Sequence, residues 1–349
     1  MATRFIGLDI GSTSIKLAEV ENDQGSYTVT KQAVMPLEAG LIRDGDISAA
    51  DVPVVAADLK AFLAAEKFST RKAVVGLNGV SGIFVNRTTL GWHQPRDFHQ
   101  AVANQMVGDR SLLVGAPTDV VFDSVVLNEF TEEDRKKLDV LLVGASPGLV
   151  ERITGVAKKA GLTVVGAEPT AFSVLRAVKT VNRQEGYLDI LVDIGHDVCN
   201  IMLHECSRPY ALTLRADLGG NDLTKTIMEA IQDDDPVNAA RAKQAYTQYA
   251  HVKRAVDDYL HRLVRAIESA LNTYMASSPS PVVPAGVTLA GGGALLPGLR
   301  ETVEAVLQRP TIIARFADEV GGAPEHFHED NGLSYDYTAA VGLAMGETI

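Results

Sequence analysis

The residues of this chain best suited to chemistry form two copies of one short pattern. Leu8-Asp9-Ile10-Gly11-Ser12-Thr13-Ser14-Ile15-Lys16 comes early, and Val192-Asp193-Ile194-Gly195-His196-Asp197-Val198-Cys199-Asn200 comes past the midpoint. Phe5 to Ile10 reads as a strand, Gly11 as a residue permitting a tight turn with φ > 0, and Ile15, Leu17 and Val20 as the returning strand. The small tip residues let the backbone N–H groups of Ser12, Thr13 and Ser14 approach phosphate oxygens, and their hydroxyls can donate as well. Lys16 adds a compact positive charge. Asp9, at the strand end, is placed to hold Mg²⁺ through water, because Mg²⁺ prefers oxygen ligands and keeps much of its hydration shell. One copy alone also fits an ordinary polar surface hairpin. Two copies, too far apart for a local repeat, imply a nucleotide held between two similar lobes.

A third element follows in order. Val287 to Ala290 reads as a buried strand, Gly291-Gly292-Gly293-Ala294 as a turn, and Leu295, Leu299, Val303, Val306 and Leu307 recur at helical spacing, with Pro297 in the first helical turn. Consecutive glycines let backbone lie against a bulky planar group, and a helix N-terminus behind them favours negative charge.

These segments resemble the actin, Hsp70 and sugar-kinase superfamily of ATPases. Asp9 to Lys16 is similar to its first phosphate loop, Asp193 to Asn200 to its second, and Val287 to Gly298 to its adenosine motif. Glu168-Pro169-Thr170-Ala171-Phe172 and Ala339 to Ala344 resemble its two connecting helices. Within that superfamily the chain resembles the PilM family of actin-like type IV pilus assembly proteins, itself similar to the cell-division protein FtsA. The phrases carrying this are Phe5 to Gly11 with Ile15-Lys16-Leu17, Lys159-Ala160-Gly161-Leu162 leading to Ala167-Glu168-Pro169, and Leu214-Arg215 with Gly219-Gly220-Asn221-Asp222-Leu223-Thr224.

The resemblance implies an α/β, actin-like ATPase fold of two duplicated RNase H-like lobes, with an inserted subdomain (1C) in the first lobe. The expected division is 1–89 with 163–186 for the first lobe, 90–162 for the insertion, 187–218 with 285–349 for the second lobe, and 219–284 for a mostly helical subdomain. It also implies ATP and Mg²⁺ as cofactors. Asp9, Glu168 and Asp193 would organise Mg²⁺ and water, with Asp9 and Asp193 holding the metal through water. Gly11, Ser12, Thr13, Ser14, Lys16, Gly195, His196 and Asp197 would line the phosphates, Gly219, Gly220 and Lys243 the second-lobe side, and Gly291, Gly292 and Gly293 the nucleoside.

Two departures from the family pattern lower the expected affinity. His196 and Asp197 replace small or hydroxyl residues, and Asp197 either contributes to Mg²⁺ binding or repels a γ-phosphate. Ala240 stands where PilM proteins usually carry a nucleoside-binding Glu, a loss of about 1–3 kcal/mol, while Lys243 is kept. The expectation is a nucleotide-binding scaffold with at most slow ATPase activity, cytoplasmic and held at the inner face of the cell membrane by a PilN-like membrane protein whose short N-terminal peptide binds between the insertion and the first lobe. A small-molecule kinase of the sugar-kinase branch and a filament-forming cytoskeletal ATPase are the alternatives; the superfamily also allows self-association.

Composition agrees. The 349 residues with 46% hydrophobic content are enough for two core-bearing lobes. A formal charge of −12 argues against a nucleic-acid surface and against an autonomous anchor to anionic membranes. No secretory leader follows Met1, no transmembrane run occurs, and no amphipathic membrane helix of the FtsA type closes the chain at Gly346-Glu347-Thr348-Ile349, so no direct membrane insertion is expected. Cys199 and Cys206, with His196 and His204 nearby, alternate across faces and read as idle thiols rather than as a metal site.

Local signals supply the positioning elements. Asp51 to Glu66 reads as a helix burying Val54, Val55, Leu59, Phe62 and Leu63; Lys72 to Gly76 and Ile83 to Thr88 read as strands. Within the insertion, Pro95 to Val107 reads as helix, Val120 to Leu127 and Asp139 to Gly144 as strands, and Pro147 to Lys159 as a helix capped by Ser146 and stopped at Gly161. Asn221-Asp222 would cap a helix from Leu223 to Ile231, Asp233 to Asp235 would break the chain before Pro236, and Val252 to Tyr274 forms an amphipathic helix with His251, Arg254, His261, Arg262 and Arg265 on a solvated face. Ser277 to Pro284 reads as an exposed linker.

Overall fold

Each phosphate-type hairpin founds a sheet. In the computed structural model, which describes residues 2–38, 40–109, 119–182, 184–205, 208–277, 282–317, 320–321 and 337–346, β1 (Thr3–Ile10), β2 (Ser14–Asp23) and β3 (Ser26–Pro36) form an antiparallel meander. A two-residue ladder of β4 (Ile42–Arg43) and β5 (Asp46–Ile47) leads to α1 (Val52–Glu66) and then β6 (Lys72–Leu77), which lies parallel to β1. The helix α1 buries Val52, Val55, Ala56, Leu59 and Leu63, which share one face at helical spacing. Val54 lies off that stripe and is 54% exposed, a correction to the expected core face.

The chain then leaves this sheet. β7 (Ile83–Gly91), α2 (Pro95–Gly108), β8 (Val121–Glu132) and β9 (Arg135–Ala145) form a separate unit with strand order β7-β9-β8. Glu133 and Asp134, both at positive φ, make the tight turn between β8 and β9. The next helix, α3 (Pro147–Lys159), begins at Ser146, whose hydroxyl accepts from the Leu149 N–H at 3.2 Å, a cap of about 1 kcal/mol. Leu149, Ile153 and Val156 of α3 share the core of α1 and β6. The separate sheet thus begins at Ile83, before the expected 90–162 boundary, and α3 within that range packs as part of the first lobe, because its apolar stripe faces the first core.

β10 (Thr163–Pro169) returns parallel to β6, and α4 (Thr170–Ala177) follows. The second sheet repeats the first: β11 (Tyr187–Ile194), β12 (Cys199–Glu205) and β13 (Arg208–Arg215) form a meander. α5 (Gly220–Ile231), α6 (Pro236–Gln244) and α7 (Ala250–Ser277) intervene before β14 (Val283–Ala290), which lies parallel to β11. After α8 (Leu299–Leu307), β15 (Thr311–Ile313) extends that sheet and β16 (Val320–Gly321) joins the edge of the first, and α9 (Thr338–Ala344) closes the described chain. The orders β10-β6-β1-β2-β3-β16 and β15-β14-β11-β12-β13 share one arrangement, a meander flanked by two parallel strands.

Helices α4 and α9 cross so closely that a Cβ on Gly342 would lie 1.8 Å from the Ser173 carbonyl oxygen. The separate three-stranded sheet is also tied to the second lobe. Arg87 on β7 forms a two-pronged ion pair with Asp139 on β9, donates to the Tyr274 hydroxyl of α7 at 3.0 Å, and lies 4.7 Å from the Tyr210 ring centroid on β13. Asp139 and its neighbours hold that guanidinium above its ordinary range even though burial opposes it.

Four further expectations change. Gly11 does not take positive φ; its N–H donates to the Ser14 carbonyl at 3.0 Å, and a Cβ there would press on that oxygen at 3.2 Å. Leu295 ends a short 3-10 turn, and Pro297 precedes Gly298, so α8 starts at Leu299 beyond the glycine triplet rather than behind it. α5 starts at Gly220 with no side-chain cap, and Asp222 instead pairs with Arg262 at 2.6 Å. Arg262 also donates to the Asp217 carbonyl at 3.0 Å, so it ties α7 to α5 rather than facing solvent alone. Cys199 is buried, and burial pushes its thiol up; Cys206 and residues 278–281 of the expected linker lie outside the described residues.

Candidate functional site

The two hairpins carry their aspartates in one register. Asp9 faces Lys16 across the β1–β2 ladder, and Asp193 faces Asn200 across β11–β12. Each turn closes with the same backbone bond, Gly11 N–H to the Ser14 carbonyl at 3.0 Å and Gly195 N–H to the Val198 carbonyl at 2.9 Å. Both tips face a single cavity of about 440 Å³ between the lobes. Gly11, Ser12, Thr13, Ser14 and Lys16 line it from the first lobe with Asp9; Asp193, Gly195, His196, Asp197, Gly220, Lys243, Gly291, Gly292 and Gly293 line it from the second. Of the residues expected there, Glu168 and Gly219 are the two that do not line it.

Side-chain amides orient the two carboxylates. Asn78, just after β6, donates to Asp9 Oδ1 at 3.2 Å and accepts from the Thr170 hydroxyl. Asn200 donates to Asp193 Oδ2 at 3.0 Å. A carboxylate has about four lone-pair sites, so each retains acceptor capacity for water or a cation. Gly291, at φ +75°, brings the glycine turn so near that a Cβ would lie 2.6 Å from Asp193 Oδ1.

The second hairpin is braced by α5. The first N–H groups of that helix are spent on the hairpin's own carbonyls, Gly220 to Gly195 at 2.9 Å and Asn221 to His196 at 2.8 Å. Asn221 also donates through its side chain to Asp197 Oδ1 at 3.0 Å. Lys243 of α6 reaches the Gly220 carbonyl at 3.1 Å and the Thr224 hydroxyl at 2.7 Å, and burial holds its ammonium below the ordinary lysine range. Burial also lowers the His196 imidazole, with Lys243, Lys225 and Lys16 acting the same way and Asp197 opposing them. Ala240 faces the cleft, so the position of the missing family glutamate is at the site.

Glu168 is a correction. Its carboxylate is buried in a fork with Arg176, at 2.7 Å and 2.8 Å, and Arg176 donates on to the Gly342 carbonyl at 2.7 Å. It stands on β10 beside Gly76 of β6 and fastens α4 to α9, whereas Thr170, two residues on, faces the cleft. Gly219 is the N-terminal flank of α5 behind the hairpin, where a Cβ would lie 2.5 Å from the His196 carbonyl oxygen. Sequence reasoning missed Asn78, Gly45, Thr170 and Thr338 as lining residues. A usable signal existed for two of them: Thr170 and Thr338 each occupy the first position of a crossing helix.

A cavity between two hairpin tips, with aspartates at the strand ends, two lysines, several hydroxyls and a glycine turn, has the donor set for a polyphosphate with a hydrated divalent cation. The chain matches the family described as "Type IV pilus assembly protein PilM" over residues 7–348. Its fold is similar to that in the "PilM-PilN type IV pilus biogenesis complex", with a TM-score of 0.81 at 20% identity and 98% of each chain covered. It is also similar to the ethanolamine utilization protein EutJ from Carboxydothermus hydrogenoformans, with TM-score 0.54, 14% identity, and 98% of this chain and 89% of that one covered. MreB5 of Spiroplasma citri bound to ADP gives 0.55 and 13%, with 97% and 94% covered.

Proposed function

The chain belongs to the PilM family of type IV pilus assembly proteins, and from that premise we propose that it is an actin-like, nucleotide-binding scaffold of a pilus assembly complex at the inner membrane. The observation that carries the nucleotide part is the matched pair of hairpins, each presenting an amide-held aspartate to one cavity. ATP with Mg²⁺ fits this donor set. A bound Mg–ATP would supply a polyphosphate whose charge the cation partly neutralises. The chain's own share is to orient and hold: Ser12, Thr13 and Ser14 offer N–H and hydroxyl donors, Lys16 a charge, and Asp9 and Asp193 acceptors for metal-bound water. Hydrolysis is slow in this reading, because the Glu168 carboxylate is committed to Arg176 and Ala240 offers no polar contact.

The partner is a PilN-like membrane protein, the kind of protein named in the similar complex. Its short cytoplasmic peptide would lie in the groove between α3 and the edge strand β8, lined by Val121, Val150, Thr154, Gly155 and Lys158. An edge strand presents unpaired N–H and C=O groups, and Val121 and Val126 on it are exposed, which suits an extended apolar segment adding along the edge. No helix among the described residues is long and apolar enough to cross a membrane, so this partner would hold the chain at the cytoplasmic face.

The experiment is a thermal melt with and without Mg–ATP. Binding to the folded state raises the midpoint, by the equivalent of about 2.7 kcal/mol at a hundredfold excess over Kd. Asp9→Ala and Lys16→Ala should shrink that shift. No shift at millimolar Mg–ATP would leave a scaffold without nucleotide.

A further inference from the structure

The cleft and the α3–β8 groove share no lining residue, yet two crossed turns touch the surroundings of both. One is Asp44-Gly45-Asp46, between β4 and β5. The other is Asn78 to Gly82, which leads from β6 into β7. They meet backbone to backbone: Gly45 has φ +71°, Gly79 has φ +112°, and a Cβ on Gly79 would lie 2.0 Å from the Asp44 carbonyl oxygen. The Asp44 carboxylate fastens the crossing, accepting from the Val80 N–H at 2.7 Å and from the Ser81 N–H and hydroxyl at 3.1 Å and 2.5 Å.

Both ends of this crossing are anchored. Toward the cleft, Gly45 and Asn78 are lining residues, and Asn78 donates to Asp9. Toward the groove, Asp46 holds Arg152 of α3 in a two-pronged ion pair, with Nε at 2.9 Å from Oδ1. The Gly82 carbonyl accepts from the N–H of Ser146, the cap of α3, at 2.8 Å. Arg152 sits in the sequence between groove residues Val150, Glu151 and Thr154 without lining the groove itself.

We propose that the crossed turns Asp44–Asp46 and Asn78–Gly82 couple the two sites, so that Mg–ATP in the cleft changes the affinity of the groove for the partner's tail peptide. This rests on the reading of the two sites given above. A shift of Asp9 on metal binding moves Asn78, and the backbone contact at Gly45 and Gly79 has no slack in which to absorb it, since closely packed interiors transmit strain. Arg152 and the Ser146 cap then move with the turns, and α3 is one wall of the groove. Coupling of this kind is reciprocal: whatever factor ATP applies to the peptide, the peptide must apply to ATP.

The test uses the full chain and the labelled N-terminal cytoplasmic peptide of the organism's own PilN-like protein. Peptide Kd is measured with and without saturating Mg–ATP, and ATP Kd with and without saturating peptide. The expected result is a common factor of at least about fivefold in both titrations. Asp46→Asn and Arg152→Gln should bring the factor close to one while each site alone keeps its affinity within about twofold, and the double variant should add nothing further. Circular dichroism melts check that both variants are folded, and Arg152→Lys, which keeps the charge but loses the fork, should retain an intermediate factor. Equal peptide Kd values with and without Mg–ATP in the unsubstituted chain would overturn the coupling and leave both sites standing. Failure of either ligand to bind alone would remove the reading beneath it, and the coupling with it.

Discussion

Asp193 stands opposite Asn200 at the ladder position where Asp9 stands opposite Lys16. The first hairpin therefore puts a cation beside its aspartate, and the second puts an amide there, donating at 3.0 Å. Positive charge for phosphate comes mainly from the first lobe, because Lys243 on the second is turned toward the Gly220 carbonyl and the Thr224 hydroxyl.

That asymmetry gives the second hairpin's own acid more influence. Asp197 lines the cleft with a single amide donor, Asn221, on its Oδ1. Asp197→Ser should tighten ATP by several-fold and ADP by less, because the removed charge repels the outermost phosphate most. Isothermal titration with both nucleotides reads this directly. Weaker, metal-dependent binding in the variant would assign Asp197 to the cation instead.

Glu168→Gln separates a structural carboxylate from a chemical one. The charge partner of the buried Arg176 is lost, so the variant should be less stable by about 3 kcal/mol in urea melts. Mg–ATP affinity should stay unchanged when measured below the melting range. A large loss of nucleotide affinity with unchanged stability would return Glu168 to the site.

Asp189 gives the chain a pH-dependent stability. It is 1% exposed on β11, and burial pushes its carboxyl from 3.8 up to about 6, partly offset by backbone N–H donors from Asn182 and Gly286. A raised folded-state value means that the folded chain holds a proton the unfolded chain releases. The stability tied to this group is thus full below pH 3.8 and is lost as pH rises through about 6. Melting midpoints of the unsubstituted chain should fall relative to Asp189→Asn between about pH 4 and about pH 7. A constant difference across that window would mean that Asp189 titrates normally.

The hairpins, the glycine turn and the crossing helices were legible in the sequence because each has a short local signature: apolar strand, small-residue tip, glycine run, or Thr-Ala at a helix start. Asn78 was not, since nothing in Leu77-Asn78-Gly79 tells that its amide will meet Asp9; only the pairing of β1 with β6 brings them together. Glu168 was assigned to the right segment and the wrong task, because strand alternation puts it on the α4–α9 side while the helix start turns Thr170 inward. The bounds of the separate sheet were misjudged for a related reason. Ile83 to Gly91 has the pattern of a strand in either sheet, and only its ladder with β9 decides which one it joins. Likewise the start of α5 follows from bonds to Gly195 and His196, far away in sequence, rather than from the Asn221-Asp222 pair that looks like a cap.

The central claim, that this chain is a scaffold holding a tethered peptide beside its nucleotide lobes, is tested most directly by adding the labelled cytoplasmic tail of the PilN-like protein to the isotopically enriched chain and following backbone amide resonances. The expected shifts cluster on Val121, Val150, Thr154, Gly155 and Lys158, the walls of the α3–β8 groove. Shifts confined to 219–275, or none at millimolar peptide, would contradict it.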